Sequence, residues 1–141
     1  MDFTGVTLVT GAGGFVGRCL VRHLASQGVP VLASDRPGTD TAFFRGLEVE
    51  FIAADLTRAD SLVPLFAGAV ERVFHLGAIC NFSTPLARLH PVNVLGVEHI
   101  TRLALQAGVK RYIHVGSTSV YGRYPGTPLH EDAPRHPQED Y

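Results

Sequence analysis

Short apolar runs alternate along this chain with longer stretches in which apolar residues recur every three or four positions. Val6–Thr10, Val29–Ser34, Val49–Ala54, Arg72–Gly77 and Tyr112–Gly116 are rich in aliphatic and aromatic residues and too short for helices, so each reads as a buried strand. Between them, Phe15–Gln27 carries Val16, Leu20 and Leu24 at i+4 spacing and stops at Gly28, the pattern of an amphipathic helix. Ala59–Phe66 reads as a short helix. Leu86–Ala107 reads as a long one stopped by Gly108, with Asn93, Val97, Ile100, Ala104 and Ala107 on the stripe that faces the sheet. Strands alternating with helices predict a parallel sheet covered on both faces. Right-handed crossovers then give a doubly wound α/β sheet in the order 3-2-1-4-5, with ligand bound at the carboxyl ends of its strands. Beyond Gly122 the pattern dissolves into a loop, with Pro125, Pro128, Pro134 and Pro137 among glycines, histidines and acids.

Length adds that residues 1–141 form one domain, small for an enzyme that must hold both a cofactor and a substrate. Net charge is −1 and the 12 Lys and Arg are scattered, so no basic footprint for nucleic acid exists. Neither a leader pattern nor an apolar run of membrane-spanning length is visible, which predicts a cytoplasmic protein without a membrane partner. The 2 cysteines, Cys19 and Cys80, have neither metal-ligand nor disulfide spacing and read as reduced packing residues. His130 and His136 lie in the final loop without ligand spacing, so no metal is expected.

The chemistry begins at Thr10-Gly11-Ala12-Gly13-Gly14-Phe15-Val16-Gly17, directly after the first strand. Gly11, Gly14 and Gly17 leave no Cβ where the chain turns, where phosphate oxygens approach the backbone and where the next helix packs on the sheet. That helix aims its free N–H groups and positive dipole end at the anion, so the segment reads as a cradle for a dinucleotide's pyrophosphate. Asp35 follows the second strand, where a carboxylate accepts from both ribose hydroxyls of the adenosine and repels a 2′-phosphate. This favours NAD over NADP. Arg36 keeps NADP open, because a guanidinium beside the ribose pairs with a 2′-phosphate, and a solvated turn at Asp35–Gly38 is the plainer alternative.

These segments resemble the amino-terminal part of an extended short-chain dehydrogenase/reductase of the epimerase/dehydratase type, over essentially the whole chain. Thr10 to Gly17 resembles that family's TGxxGxxG. Asp55-Leu56 resembles its adenine-binding pair, although an acid there also helps to start the helix at Ala59. His75-Leu76-Gly77-Ala78 resembles HxAA with Gly in the third place, and His75 itself reads as a structural strand-end residue. Asn93-Val94-Leu95-Gly96-Val97 resembles NVxGT, in which the Asn supports the active site; an Asn that ties helix to sheet is the alternative. Gly116 to Gly122 resembles SSxxVYG, which implies that Ser117 binds the reacting oxygen, with Ser119 as runner-up.

The resemblance implies a Rossmann-type fold, with cofactor contacts at Gly11, Gly13, Gly14, Phe15, Val16, Gly17, Asp35, Arg36, Asp55, Leu56, Leu76, Gly77, Ala78 and Ser117. Substrate-side positions are Cys80, Asn81, Phe82, Ser83, Thr84 and Ser119. The family's base is the Tyr of a Tyr-x-x-x-Lys motif, the Lys lowering the phenol pKa. Tyr112, Tyr121 and Tyr124 lack that Lys, and Lys110, the only lysine, precedes the fifth strand. Tyr141 is therefore the expected base, with the lysine falling at position 145, so the chain reads as ending within the motif and before the substrate region. Alone, it is expected to be inactive. The implied activity is that of an NAD-dependent oxidoreductase acting on an alcohol or ketone of a small-molecule substrate. A nucleotide-sugar epimerase comes first, with a 3β-hydroxysteroid dehydrogenase-like reductase or a non-catalytic dinucleotide-binding module as alternatives. Thr118 and Ser119 replace the Asp-Glu of the family's dehydratases, which disfavours dehydration. A homodimer is implied for the full-length protein and is doubtful for this chain.

Overall fold

The computed structural model describes residues 5–123 and 128–138. Five parallel strands, β1 (Val6–Thr10), β2 (Val31–Asp35), β3 (Val49–Ala53), β4 (Val70–His75) and β5 (Arg111–His114), form one sheet in the order β3-β2-β1-β4-β5. The order is the expected one. The central strand β1 is almost wholly sequestered, Thr7 to Thr10 each being at most 3% exposed, because helices cover both of its faces. One core layer gathers Leu8, Leu32, Leu62, Leu65, Val73, Ile100 and Ala104; the other gathers Val9, Val21, Leu24, Ala33 and Phe44. Burying each of these aliphatic or aromatic side chains contributes about 1.5–3 kcal/mol.

Helix α1 (Phe15–Ser26) buries Gly17, Val21 and Leu24, not the predicted Val16–Leu20–Leu24 row. Val16 is 56% exposed because, in the first turn, it overhangs the strand ends. The next helix is shorter than predicted: α2 (Ala59–Leu62) passes into a 3-10 turn at Val63–Phe66, where Pro64 brings no N–H for a helical ladder. The long helix exists as α3 (Leu86–His90), a π-helical stretch at Pro91–Leu95 and α4 (Gly96–Gln106). Pro91 again supplies the cause, since a prolyl ring inside a helix removes one bond and crowds the preceding turn. On α4 the buried stripe is Gly96, Ile100 and Ala104, while Ala107 is exposed. Cys19 and Cys80 are both exposed, contrary to a packing role, because α1 turns Cys19 outward and Cys80 lies past the end of β4. No described helix is long and apolar enough to cross a membrane.

Candidate dinucleotide site

The sheet order reverses between β1 and β4: the chain runs outward from β1 through β2 to β3, then crosses back to begin β4 on β1's other side. Loops leaving adjacent carboxyl ends diverge there and open a cleft of about 970 Å³. Its wall holds Gly11, Gly13, Gly14, Phe15, Val16, Gly17, Asp35, Arg36, Asp55, Leu56, Leu76, Gly77, Ala78 and Cys80, all expected from the sequence. Thr10, Arg18, Thr39, Asp40, Ile79 and Val92 join them without having been anticipated.

Gly11 starts the loop at φ +67°, and a Cβ there would lie 2.7 Å from the Gly77 nitrogen. Gly17 lies where α1 rests on the loop, and a Cβ would meet the Gly11 carbonyl and, at 2.7 Å, the Ala12 Cα. Only glycine lets this helix start so close to the strand end. Gly14 caps α1 without a side-chain hydrogen bond, and the first turn has no acidic residue, so no side chain of the helix itself occupies its first amides.

Asp35 ends β2 and is tied into this loop. Its Oδ2 accepts from the Gly13 N–H at 2.8 Å and its Oδ1 from the Arg36 N–H at 2.7 Å, leaving each oxygen acceptor capacity for a ribose hydroxyl. Arg36, Pro37 and Gly38 do form an exposed turn, and the Asp35 carboxylate at its start braces the glycine loop. Arg36 is exposed on the rim. Arg18 donates from Nε to the Gly13 carbonyl at 2.7 Å, and Arg18 and Arg22 both stack on Phe43, closing the outer side of the loop.

Asp55 does not cap α2, whose cap is Arg58. Instead its Oδ1 accepts from the Thr57 N–H (2.9 Å) and hydroxyl (2.8 Å), an Asx turn, while Ser61 bridges to the Asp55 backbone. Leu56 is wedged between β4's end and α4, where a Cβ on Gly77 or Gly96 would approach it to 2.9 Å. Asn93, on the π-helical stretch, accepts from the Ile79 N–H at 2.8 Å and donates to the Ile79 carbonyl at 3.0 Å, pinning the loop after β4. Its partner is that loop and not the sheet.

Ser117, Ser119, Asn81, Phe82, Ser83 and Asn93 do not line the cleft. Ser117 caps a 3-10 turn at Thr118–Tyr121, its Oγ accepting from the Ser119 N–H at 3.1 Å. The Tyr121 hydroxyl donates to the Glu131 carbonyl at 3.1 Å, a structural tie for the loop that follows. Tyr141 lies outside the described residues. Among the described residues no group of three or more His, Cys, Asp or Glu could hold a metal ion.

Beneath the cleft His75 is 1% exposed, and its Nδ1 lies 2.7 Å from the Thr10 hydroxyl. Burial, with a smaller contribution from His114, lowers its pKa to about 4. Burial also raises the Tyr112 pKa.

A glycine loop, a strand-end carboxylate and an open switch-point cleft define a dinucleotide-binding Rossmann architecture, and the comparisons agree. The profile of the NAD-dependent epimerase/dehydratase family matches residues 7–141, and the chain belongs to that family. It is 36% identical to the UDP-glucose 4-epimerase of Mycolicibacterium smegmatis, covering 96% of this chain and 46% of that one. To the 3-beta-hydroxysteroid dehydrogenase of Mycolicibacterium neoaurum it is 31% identical over 82% of this chain and 33% of the relative. The Bordetella bronchiseptica enzyme WbmG, solved in complex with NAD, superposes with a TM-score of 0.90 at 26% identity, over 99% of this chain and 46% of that structure. The chain therefore spans less than half the length of these relatives.

Proposed function

We propose that this chain is the cofactor-binding part of an NAD-dependent oxidoreductase whose whole-protein activity is of the nucleotide-sugar epimerase type. The observation that carries the reading is the cleft, in which a glycine loop with no room for a Cβ at Gly11 or Gly17 adjoins Asp35 on one side and Asp55 on another. The pyrophosphate lies on the first-turn amides of α1, the adenosine ribose on Asp35 and the adenine beside Asp55. Leu76, Gly77 and Ala78 back the cofactor's central part, and Asn93 holds their loop in place through Ile79. When bound, NAD supplies hydride transfer at nicotinamide C4. Ser117 orients the reacting oxygen and Tyr141 moves its proton, with Cys80, Asn81, Phe82, Ser83 and Ser119 on the substrate side. A homodimer in a cytoplasmic setting belongs to the same proposal; exposed Leu86 on α3, Val94 and Leu95 on the π-helical stretch and Leu105 on α4 supply the apolar surface for it.

The test is absorbance at the reduced nicotinamide band with the full-length protein, offered UDP-sugars and, separately, hydroxysteroids. Interconversion of UDP-sugars supports the reading. Oxidation of a hydroxysteroid alone moves the assignment to the reductase alternative, and tight NADH binding with no turnover on either panel moves it to the non-catalytic module.

A further inference from the structure

The buried pair Thr10–His75 joins the two strand ends that form the cleft, Thr10 just before the glycine loop and His75 just before the opposite wall. Thr10 is the last residue of β1 and His75 the last of β4, and they are direct partners in the parallel register. The next residues are Gly11, which begins the phosphate loop, and Leu76-Gly77, the opposite wall. Leu76 donates its N–H to the Thr10 carbonyl at 3.2 Å, and Gly77 donates to the Thr10 hydroxyl at 3.4 Å. That hydroxyl has one proton, and among the described residues the only acceptor within reach of it is His75 Nδ1, at 2.7 Å. The hydroxyl is satisfied in both roles when the ring carries its own proton on Nε2, which has no partner among the described residues.

We infer that Thr10 and His75 are positioning residues for the cofactor. The neutral Nε2–H tautomer of His75 receives the Thr10 hydroxyl proton, and this bond fixes the spacing between the Gly11 loop and the Gly77 wall. The groups around the ring fit a device kept neutral. Thr10 faces it from β1, and Tyr112 and His114 from β5, the His114 ring lying 5.5 Å away between centroids at 24°. No carboxylate among the described residues bonds the ring, and burial opposes its protonation. With the proton on Nδ1 instead, the Thr10 oxygen would accept from both the ring and the Gly77 N–H, and its own proton would be left without an acceptor among the described residues.

The inference rests on the NAD site proposed above, and NADH titration of the unaltered full-length protein tests that site first. Thr10→Val keeps the side-chain shape and removes only the hydroxyl; its dissociation constant for NADH is expected to rise about tenfold, with Thr10→Ser recovering most of the loss. The ¹⁵N-coupled imidazole spectrum of the unaltered protein is expected to show His75 protonated at Nε2 and bare at Nδ1. A wild type that does not bind NADH removes the site and with it this inference. Binding that is normal in the wild type and equally tight in a folded Thr10→Val removes the positioning role alone. A His75 protonated at Nδ1 overturns the bond direction whatever the variants do.

Discussion

At the scale of single residues, Asp35 and His75 each tie together stretches of backbone that border the cleft. Asp35 binds the backbone of Gly13 and Arg36, so its charge is fixed at the end of β2, and under the proposed placement of the ribose it faces a 2′-phosphate. Asp35→Asn is expected to lower the preference for NADH over NADPH about tenfold, by removing that repulsion while Arg36 stays available. Parallel titrations with the two cofactors check it, and an unchanged ratio would place the ribose elsewhere. His75 makes stability depend on pH. Its ordinary pKa of 6.5 applies to the unfolded chain, whereas the folded value is about 4. Between these values the unfolded chain binds the extra proton, so acidification favours unfolding. Above 6.5 the group has no effect; from there down to about 4 it should cost about 3 kcal/mol. Denaturant titrations at pH 7.5 and 4.5 should show a smaller difference for His75→Gln than for the wild type. An equal difference would mean that other groups set the acid sensitivity.

Among the elements, the strands were legible in the sequence because the central β1 and β2, buried along nearly their whole length, are largely apolar, while β3, β4 and β5 keep short apolar runs beside their charged residues. The ends were less so. β4 begins at Val70 and not Arg72, because Val70 pairs with Val6 across an irregularity in the β1–β4 register that no local pattern encodes. Glycine spacing revealed the tight turn from β1 into α1, since steric exclusion depends on local backbone. Asp35's bond to Gly13 and the Thr10–His75 pair join residues far apart in sequence and needed the fold to appear. The π-helical stretch also went unread, although Pro91 inside a helical run was its sign. That stretch carries Asn93, whose amide satisfies both backbone groups of Ile79. Asn93→Ala leaves a half-buried donor and acceptor unpaired and is expected to cost about 1–3 kcal/mol. A urea midpoint lowered at unchanged slope would show this. An unshifted midpoint would mean that water replaces the amide at no cost.

For the whole molecule, the cleft exists because two halves of one sheet diverge at β1 and β4, so a ligand spanning it should couple to global unfolding. Both walls are anchored in the core, Gly11 through β1 and Gly77 through β4, and unfolding destroys the site. A ligand that binds only the folded state, present at a hundred times its dissociation constant, adds about 2.7 kcal/mol. For a domain of this size that corresponds to a rise of about 10 °C in the thermal midpoint. Gly14 offers the discriminating variant. It is exposed at the start of α1, and a Cβ there would lie 3.2 Å from the Gly11 carbonyl, so a side chain is accommodated with little rearrangement yet projects where a phosphate would approach the helix amides. Gly14→Leu should therefore lower the midpoint of the ligand-free protein by only a few degrees, about the 1 kcal/mol typical of a lost cap, while abolishing the rise with NADH. Differential scanning fluorimetry with and without NADH reads both effects. A full rise retained by a folded Gly14→Leu would move the dinucleotide away from the amino end of α1 and leave the glycine loop as a packing device alone.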